Sequence, residues 1–412
     1  MIRVGAIVAC VAAFATAPNA SAQTISQRGF LEGALWLFPA RAPADSTRVM
    51  GDGLIREEAF YKPTGWLQFA GGFELRGNTH DQVDRRRRLD FADRGTQRPL
   101  LSVRRASVTF THGPLTIDAG KQFIRWGKTD IVTPTDRFAP RDFLNVVDAE
   151  FIAVTGIRGA LQLGENTIEA VWTPRFTPSR IPLLHQRWTV LPANTGIVPL
   201  VDAGAVFPTG SQTGVRVSHV GQTLEYAVAF FNGFNHQPAI AATPRAFPPA
   251  IALTRIYPAI RMLGADAAMP TRWFTLKAET AYVRSSSPLA DDYLLYVVQI
   301  ERQRGEWLFL GGYAGEVVTR ARAPATFAPD RGLSRSFVAR ASYTIDPNRS
   351  VVFETAVRQN GKGVYAKAEY SQARGAHWRV TAAMRVIAGD ADDFLGQYRR
   401  NSHGTVTLRY SF

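Results

Sequence analysis

The chain has 412 residues, 46% of them hydrophobic and 11% aromatic, and carries a formal net charge of +14. Its single cysteine, Cys10, excludes a disulfide framework and a zinc–thiolate site, and no stretch after residue 22 approaches the ~18 uninterrupted apolar residues of a helical membrane span. The basic balance suits anionic lipid or an anionic solute; nucleic acid is the poorest partner for a chain that carries an export signal.

That signal is Met1 to Ala22. Arg3 supplies the positive end, Val4 to Ala17 are nearly all apolar, and Ala20-Ser21-Ala22 is a small-x-small cleavage site. Cys10 lies too early in the apolar core to be a lipid-attachment residue. The remaining residues, 23–412, read as one domain.

From there the chain shows dyad alternation in short segments punctuated by Gly, Pro and Asn. Strands are predicted at 28–38, 53–61, 65–76, 100–111, 114–124, 151–163, 166–175, 211–220 and 222–232. The second half continues with 251–264, 271–284, 291–303, 306–320, 333–345, 349–359, 362–372, 375–388 and 400–412. That makes eighteen; sixteen is the alternative, because 28–38 and 53–61 carry the weakest pattern. Odd-to-even connections are long, such as 77–99, 125–150 and 176–210. Even-to-odd connections are tight, such as His112-Gly113, Gly164-Glu165 and Arg304-Gly305. The last strand alternates Val406, Leu408, Tyr410 and Phe412 against Thr405, Thr407, Arg409 and Ser411, and ends on the carboxyl terminus itself. Together these features predict an all-β fold: one antiparallel transmembrane β-barrel with short periplasmic turns and long extracellular loops. Lipid cannot satisfy an open sheet edge, so the first strand must meet the last. Tyr410 and Phe412 are then the residues expected to matter for membrane assembly, through contact with barrel-assembly machinery. Trp66, Trp172, Trp273, Trp307 and Trp378 fall near strand ends, as interface residues do.

If the greasier face of each strand meets lipid, the other face lines the interior. Parity then places Arg76, Arg340, Arg358, Lys367, Arg379, Arg385 and Arg409 on the inner wall, with Glu74, Glu169, Glu279, Glu301, Glu354 and Glu369. Arg175 and Lys277 join them. A charge on the lipid face at mid-depth costs ~2–4 kcal/mol, which is the reason for the assignment. Eighteen strands enclose space that side chains alone do not fill, so the interior is a wet channel or is filled by a loop. The modest arginine excess suits an anion preference.

The segment after the fifth strand is unlike loop filler. It runs Gly120-Lys-Gln, then Arg125-Trp126-Gly127-Lys128, then Asp130, Pro134, Asp136, Arg137, Pro140, Arg141 and Asp142. Asp130, Asp136 and Asp142 recur every six residues among basic neighbours, so folding 125–150 toward the lumen would satisfy these charges and narrow the bore. With Gly29-Phe-Leu-Glu-Gly33 and the terminal Tyr410-Ser-Phe412, this segment resembles a group of poorly characterised porin-like outer-membrane barrels of Gram-negative bacteria. It is more distantly similar to alginate- and exopolysaccharide-export barrels. The resemblance implies an outer-membrane location and a transport-like role, and supplies no substrate.

Other chemistries fit less well. The three aspartates lack the one-three-five acidic pattern and terminal glutamate of a calcium loop, so no metal or other cofactor is expected. A surface acyl hydrolase needs a nucleophile, a histidine base and an orienting group together. His219, His377 and His403 lie near strand ends, with no Gly-x-Ser-x-Gly beside them, while Glu169, Glu354 and Ser402 are scattered; no catalytic residue is expected. Arg85 to Arg88 sit in the loop 77–99, where phosphate or carboxylate groups of lipopolysaccharide are the reachable anions. The runs Ile197-Val198-Pro199-Leu200 and Ala246-Phe247-Pro248-Pro249-Ala250 are expected to fold over the mouth or touch a neighbour. An oligomer interface and a lipid face are both apolar, so the sequence leaves monomer and trimer open. The expected function is passive or weakly selective passage of small solutes, anionic ones among them. The alternative is a blocked barrel acting in surface binding or envelope assembly.

Overall fold

The structure is a computed structural model describing residues 24–190, 198–322 and 328–412; the predicted export signal lies outside them. Eighteen antiparallel strands form the wall. They are β1 (Thr24–Leu37), β2 (Val49–Thr64), β3 (Leu67–Asn78), β4 (Arg98–His112), β5 (Leu115–Gln122) and β6 (Val154–Leu163). The chain continues with β7 (Asn166–Thr173), β8 (Gln212–Val220), β9 (Glu225–Phe234), β10 (Ala259–Pro270), β11 (Thr275–Ser285) and β12 (Asp292–Arg304). It ends with β13 (Trp307–Arg320), β14 (Ser336–Asp346), β15 (Arg349–Arg358), β16 (Gly363–Arg374), β17 (Trp378–Gly389) and β18 (His403–Ser411). Each pairs with the next, and β1 pairs with β18 from Phe30↔Ser411 to Leu37↔Gly404, which closes the barrel. The seam extends one residue further: Gly29 N–H donates to the Phe412 carbonyl at 3.1 Å and Phe412 N–H to the Gly29 carbonyl at 3.0 Å.

Two-residue periodicity sorts the side chains. In β3, Phe69, Phe73 and Leu75 are exposed on the outer face while Glu74 is buried inside. Val406 and Leu408 of β18 and Phe337 of β14 are likewise exposed, forming an apolar outer belt of the kind that lies against lipid. Trp66, Trp172, Trp273, Trp307 and Trp378 are all exposed at wall ends, whereas Trp36, Trp126 and Trp188 are buried. Short turns such as 113–114, 164–165 and 305–306 alternate with nine long connections, L1 to L9. Those used below are L1 (38–48), L2 (79–97), L3 (123–153), L4 (174–211), L5 (235–258), L7 (321–335) and L9 (390–402).

Three expectations need correction. The stretch 251–264 is two elements, because Pro258 interrupts it: proline has no N–H for the ladder. Ala250–Ile256 belongs to a three-stranded sheet with Leu200–Val206 and Ala239–Arg245, formed by L4 and L5 above the barrel. The barrel strand therefore runs on to Pro270, and Asp266 is an inner-wall residue paired to Arg216 at 2.8 Å instead of part of a turn. The last strand begins at His403, since Gly396–Asn401 forms a 3-10 turn. Arg175 lies beyond the end of β7, in L4.

Candidate functional site

The inner wall has two characters. On β9 to β12 it is apolar: Ala229, Phe231, Ile260, Met262, Ala281, Val283 and Leu295 are buried, and they pack against Ile124, Trp126 and Phe138 of L3. Elsewhere it is charged. An apolar inner surface facing water would lose the free energy of burial, ~25 cal/mol per Å², and L3 covers it.

Departure from the wall is local. Gly120 adopts φ +119°, and the last ladder pair of β5 is Gln122↔Val154. Pro134 and Pro140 then lack the donors a new strand would need. Asp136 closes the first half of the loop by accepting from the N–H groups of Trp126 at 2.6 Å and Gly127 at 2.7 Å, with Arg125 Nε 3.3 Å away. A Cβ at position 127 would run into the Thr133 side chain.

The wall side chains hold the loop by its backbone. Glu279 Oε2 accepts from the N–H groups of Lys128 (2.8 Å) and Thr129 (2.9 Å) and from the Thr129 hydroxyl, and Oε1 from Thr135. Asp130 bonds Lys277 Nζ at 3.0 Å and Gln299 Nε2 at 2.5 Å. Trp126 Nε1 donates to Glu169, and Lys128 pairs with Glu225. Further along, Asp142 accepts from Arg98 at 2.9 and 3.0 Å and from Arg180 of L4 at 3.2 Å. Burial pushes the Asp142 carboxyl up, but Arg98 and Arg180 outweigh it and hold it down at about 2. The three aspartates thus have three separate sets of partners, and among the described residues there is no group of three potential metal ligands.

The basic residues divide into two kinds. Arg137 is buried, donating to the Pro134 carbonyl at 3.0 Å and lying 3.4 Å from Asp330 of L7. Arg76 reaches Glu150 at 2.7 Å and Arg385 reaches Asp148 at 2.7 Å, so both wall arginines grip the end of L3. Arg409 pairs with Glu32, Arg358 with Asp393, and Arg379 bonds Ser371. Lys367 lies between Glu354 (3.6 Å) and Glu369 (2.9 Å), and Arg340 is 3.5 Å from Glu354. Arg125 and Arg141 differ. Their guanidinium carbons sit 4.1 and 4.5 Å from the centre of the same ring, Phe151. Arg141 donates to Thr133 Oγ1 at 2.9 Å and has no carboxylate within ion-pair distance among the described residues. Burial lowers its pKa from the ordinary arginine value; the Asp136 carboxylate opposes that shift and the Arg125 charge adds to it.

Beside these groups is a cavity of about 370 Å³. Arg137, Arg141 and Asp330 line it together with Val338, Tyr365 and Phe394. L4 and L9 meet there, with the Trp188 and Tyr398 rings tilted against each other at 5.6 Å and Arg187 bonded to the Ala40 carbonyl of L1. His236 of L5 bridges L3 and L4, its ring nitrogens facing the carbonyls of Thr177 (2.6 Å) and Arg137 (2.9 Å). His219 contacts Asn166, His377 the Ser411 carbonyl and His403 the Asn401 carbonyl.

Sequence reasoning named the loop and its charges. It did not name Asp148, Glu150, Arg98, Arg180, Gln299 or Asp330 as partners. One signal was available: β9 and β11 are apolar on both faces, with Phe230 outside and Phe231 inside, Tyr282 outside and Val283 inside. A wall apolar on both sides needs lipid on one side and protein on the other.

No family model and no curated protein matches the chain. Solved structures do. The porin OccAB4 of Acinetobacter baumannii is similar with a TM-score of 0.57 and 10% identity, over 96% of this chain and 100% of that one. OccK9 (OpdG) of Pseudomonas aeruginosa gives 0.55 and 9%, over 94% and 97%. A BenF-like porin of Pseudomonas fluorescens gives 0.54 and 8%, over 94% and 98%. The chain has the fold of outer-membrane porins.

Proposed function

We propose that this chain is a porin-like channel of a Gram-negative outer membrane, passing small anionic solutes passively and with weak selectivity. The observation that carries the reading is the contrast between Arg141 and the paired charges that anchor L3. L3 is fixed by paired charges, while Arg125 and Arg141 both stand against the Phe151 ring, with Arg141 in no ion pair among the described residues and beside an open cavity. In a narrow aqueous space walled by low-dielectric material, a small uncompensated charge sets the potential that a solute meets. The test is conductance of the refolded protein in planar bilayers, with the reversal potential measured under a salt gradient. Stepwise conductance with mild anion preference is expected, fading near 1 M salt as the screening length falls to ~3 Å.

A second reading keeps the barrel blocked and gives it a role in surface binding or exopolysaccharide assembly. It draws on the packing of L1, L4 and L9 across the mouth around Trp188 and Arg187. The absence of any stepwise conductance at any salt would favour it.

A further inference from the structure

The upper wall has a notch. β5 stops at Gln122 and β6 starts at Val154, because L3 leaves and rejoins the wall there. A segment of L2, Val83–Asp90, fills the place beside the top of β4. It pairs in parallel, Val83↔Arg98 and Asp84↔Pro99, then Leu89↔Leu101 and Asp90↔Ser102. Lys121, buried at the end of β5, secures the far side by donating to the Phe91 carbonyl at 2.8 Å and to Asp93 at 2.5 Å.

The register fixes the height of this segment. Leu101 pairs on its other side with Leu75, an exposed outer-face residue of β3. Leu75, Leu101 and Leu89 therefore form one row across three neighbouring chains, and Leu89 and Phe91 are themselves exposed. β4 runs from the extracellular rim toward the periplasm, and Val83–Asp90 runs the same way. Arg85 to Arg88 precede Leu89, so they stand just on the extracellular side of that apolar row. All four are exposed. Arg86 pairs with Asp84 at 2.7 Å; Arg85, Arg87 and Arg88 have no carboxylate within ion-pair distance among the described residues.

We infer that Arg85–Arg88, with Leu89 and Phe91 below them, form a docking surface for a phosphorylated lipid of the outer leaflet. Guanidinium groups present paired N–H donors that match phosphate oxygens, and they stand where the lipid belt ends and headgroups begin. Leu89 and Phe91 would lie along the acyl chains of the same molecule. Charge alone would serve a free anion equally well; the apolar row directly beneath favours a lipid. This inference is independent of whether the barrel conducts.

The test uses the full barrel in detergent, titrated with diphosphoryl lipid A and followed by native mass spectrometry. The comparison is the triple variant Arg85→Ser, Arg87→Ser, Arg88→Ser, whose residues have no ion-pair partners to lose, and heat-modifiable migration checks that it is folded. The expected result is retention of lipid A by the wild type and about tenfold weaker retention by the variant. Fully dephosphorylated lipid A should bind the wild type as weakly as the variant binds the phosphorylated form. Leu89→Ser should also weaken retention without altering any response to inorganic phosphate. Equal retention by wild type and triple variant would overturn the inference. So would displacement of lipid A by millimolar inorganic phosphate, which would mark the patch as a site for free anions.

Discussion

Glu279 accepts both the backbone N–H and the hydroxyl of Thr135 through one carboxylate oxygen, each at 2.8 Å. Its other oxygen accepts from Lys128 and Thr129, so one side chain of β11 holds L3 at two separate points, Lys128–Thr129 and Thr135. An amide cannot do this, because its NH2 would face donors on one side. Glu279→Gln should therefore loosen L3 by ~1.5–3 kcal/mol, the range for hydrogen bonds to a buried charged group. Single channels of the variant should be noisier and wider, with the barrel still heat-modifiable. Wild-type conductance and noise would show that L3 is held without Glu279.

Asp142 predicts a pH window. Its folded pKa of about 2 lies below the ordinary 3.8, so the folded chain binds fewer protons than the unfolded one between those values. Its stabilising contribution is complete above about pH 4 and is lost as pH falls through about 2. L3 should resist opening down to pH 4 and release from Arg98 and Arg180 near pH 2, as followed by conductance or proteolysis. Asp142→Asn should bring that release to neutral pH, since breaking a buried pair costs ~3–5 kcal/mol.

Selectivity should follow the two arginines around Phe151 more than Arg137. Arg137 is buried against Pro134 and Asp330, so its field is largely compensated. Arg125→Ser with Arg141→Ser is expected to abolish the anion preference at low salt, and Arg137→Ser to change it little. A reversal potential unmoved by the double variant would remove these residues from the filter.

The closing seam gives a prediction about assembly. A Cβ at Gly29 would collide with the Glu57 carboxylate and the Phe412 ring. Gly29→Val, or deletion of Phe412 with its reciprocal pair of hydrogen bonds, should lower the yield of heat-modifiable barrel in membranes. Unchanged yield in both variants would mean that the seam closes without this terminal pair.

The wall was legible because alternation and loop length are local properties, and eighteen strands could be counted from them. Pro258 was the one visible break, and the apolar run from Ile251 to Ile260 around it hid it. The grip on L3 was not legible, since its pairs join residues far apart in the chain, such as Asp130 with Gln299 and Thr135 with Glu279. Parity could place Arg76 and Arg385 inside, yet nothing in the sequence says that they meet Glu150 and Asp148 instead of water. Glu57 is an exception to the rule that charges point inward: it occupies the outward parity of β2, opposite Gly29 and Phe73.

The patched notch also has a consequence for handling the protein. The ladder that holds Val83–Asp90 skips from Asp84 to Leu89, leaving Arg85 to Arg88 exposed and without cross-strand partners. Four consecutive tryptic sites on such a backbone should be cut before any others. Gln82 stays bonded to Asn145 and Gln186, and Asp93 to Lys121 and Arg180, on either side of the cut. The nicked chain should therefore remain one particle in detergent and separate into two fragments only on boiling, a split barrel whose unequal parts stay together without a covalent link.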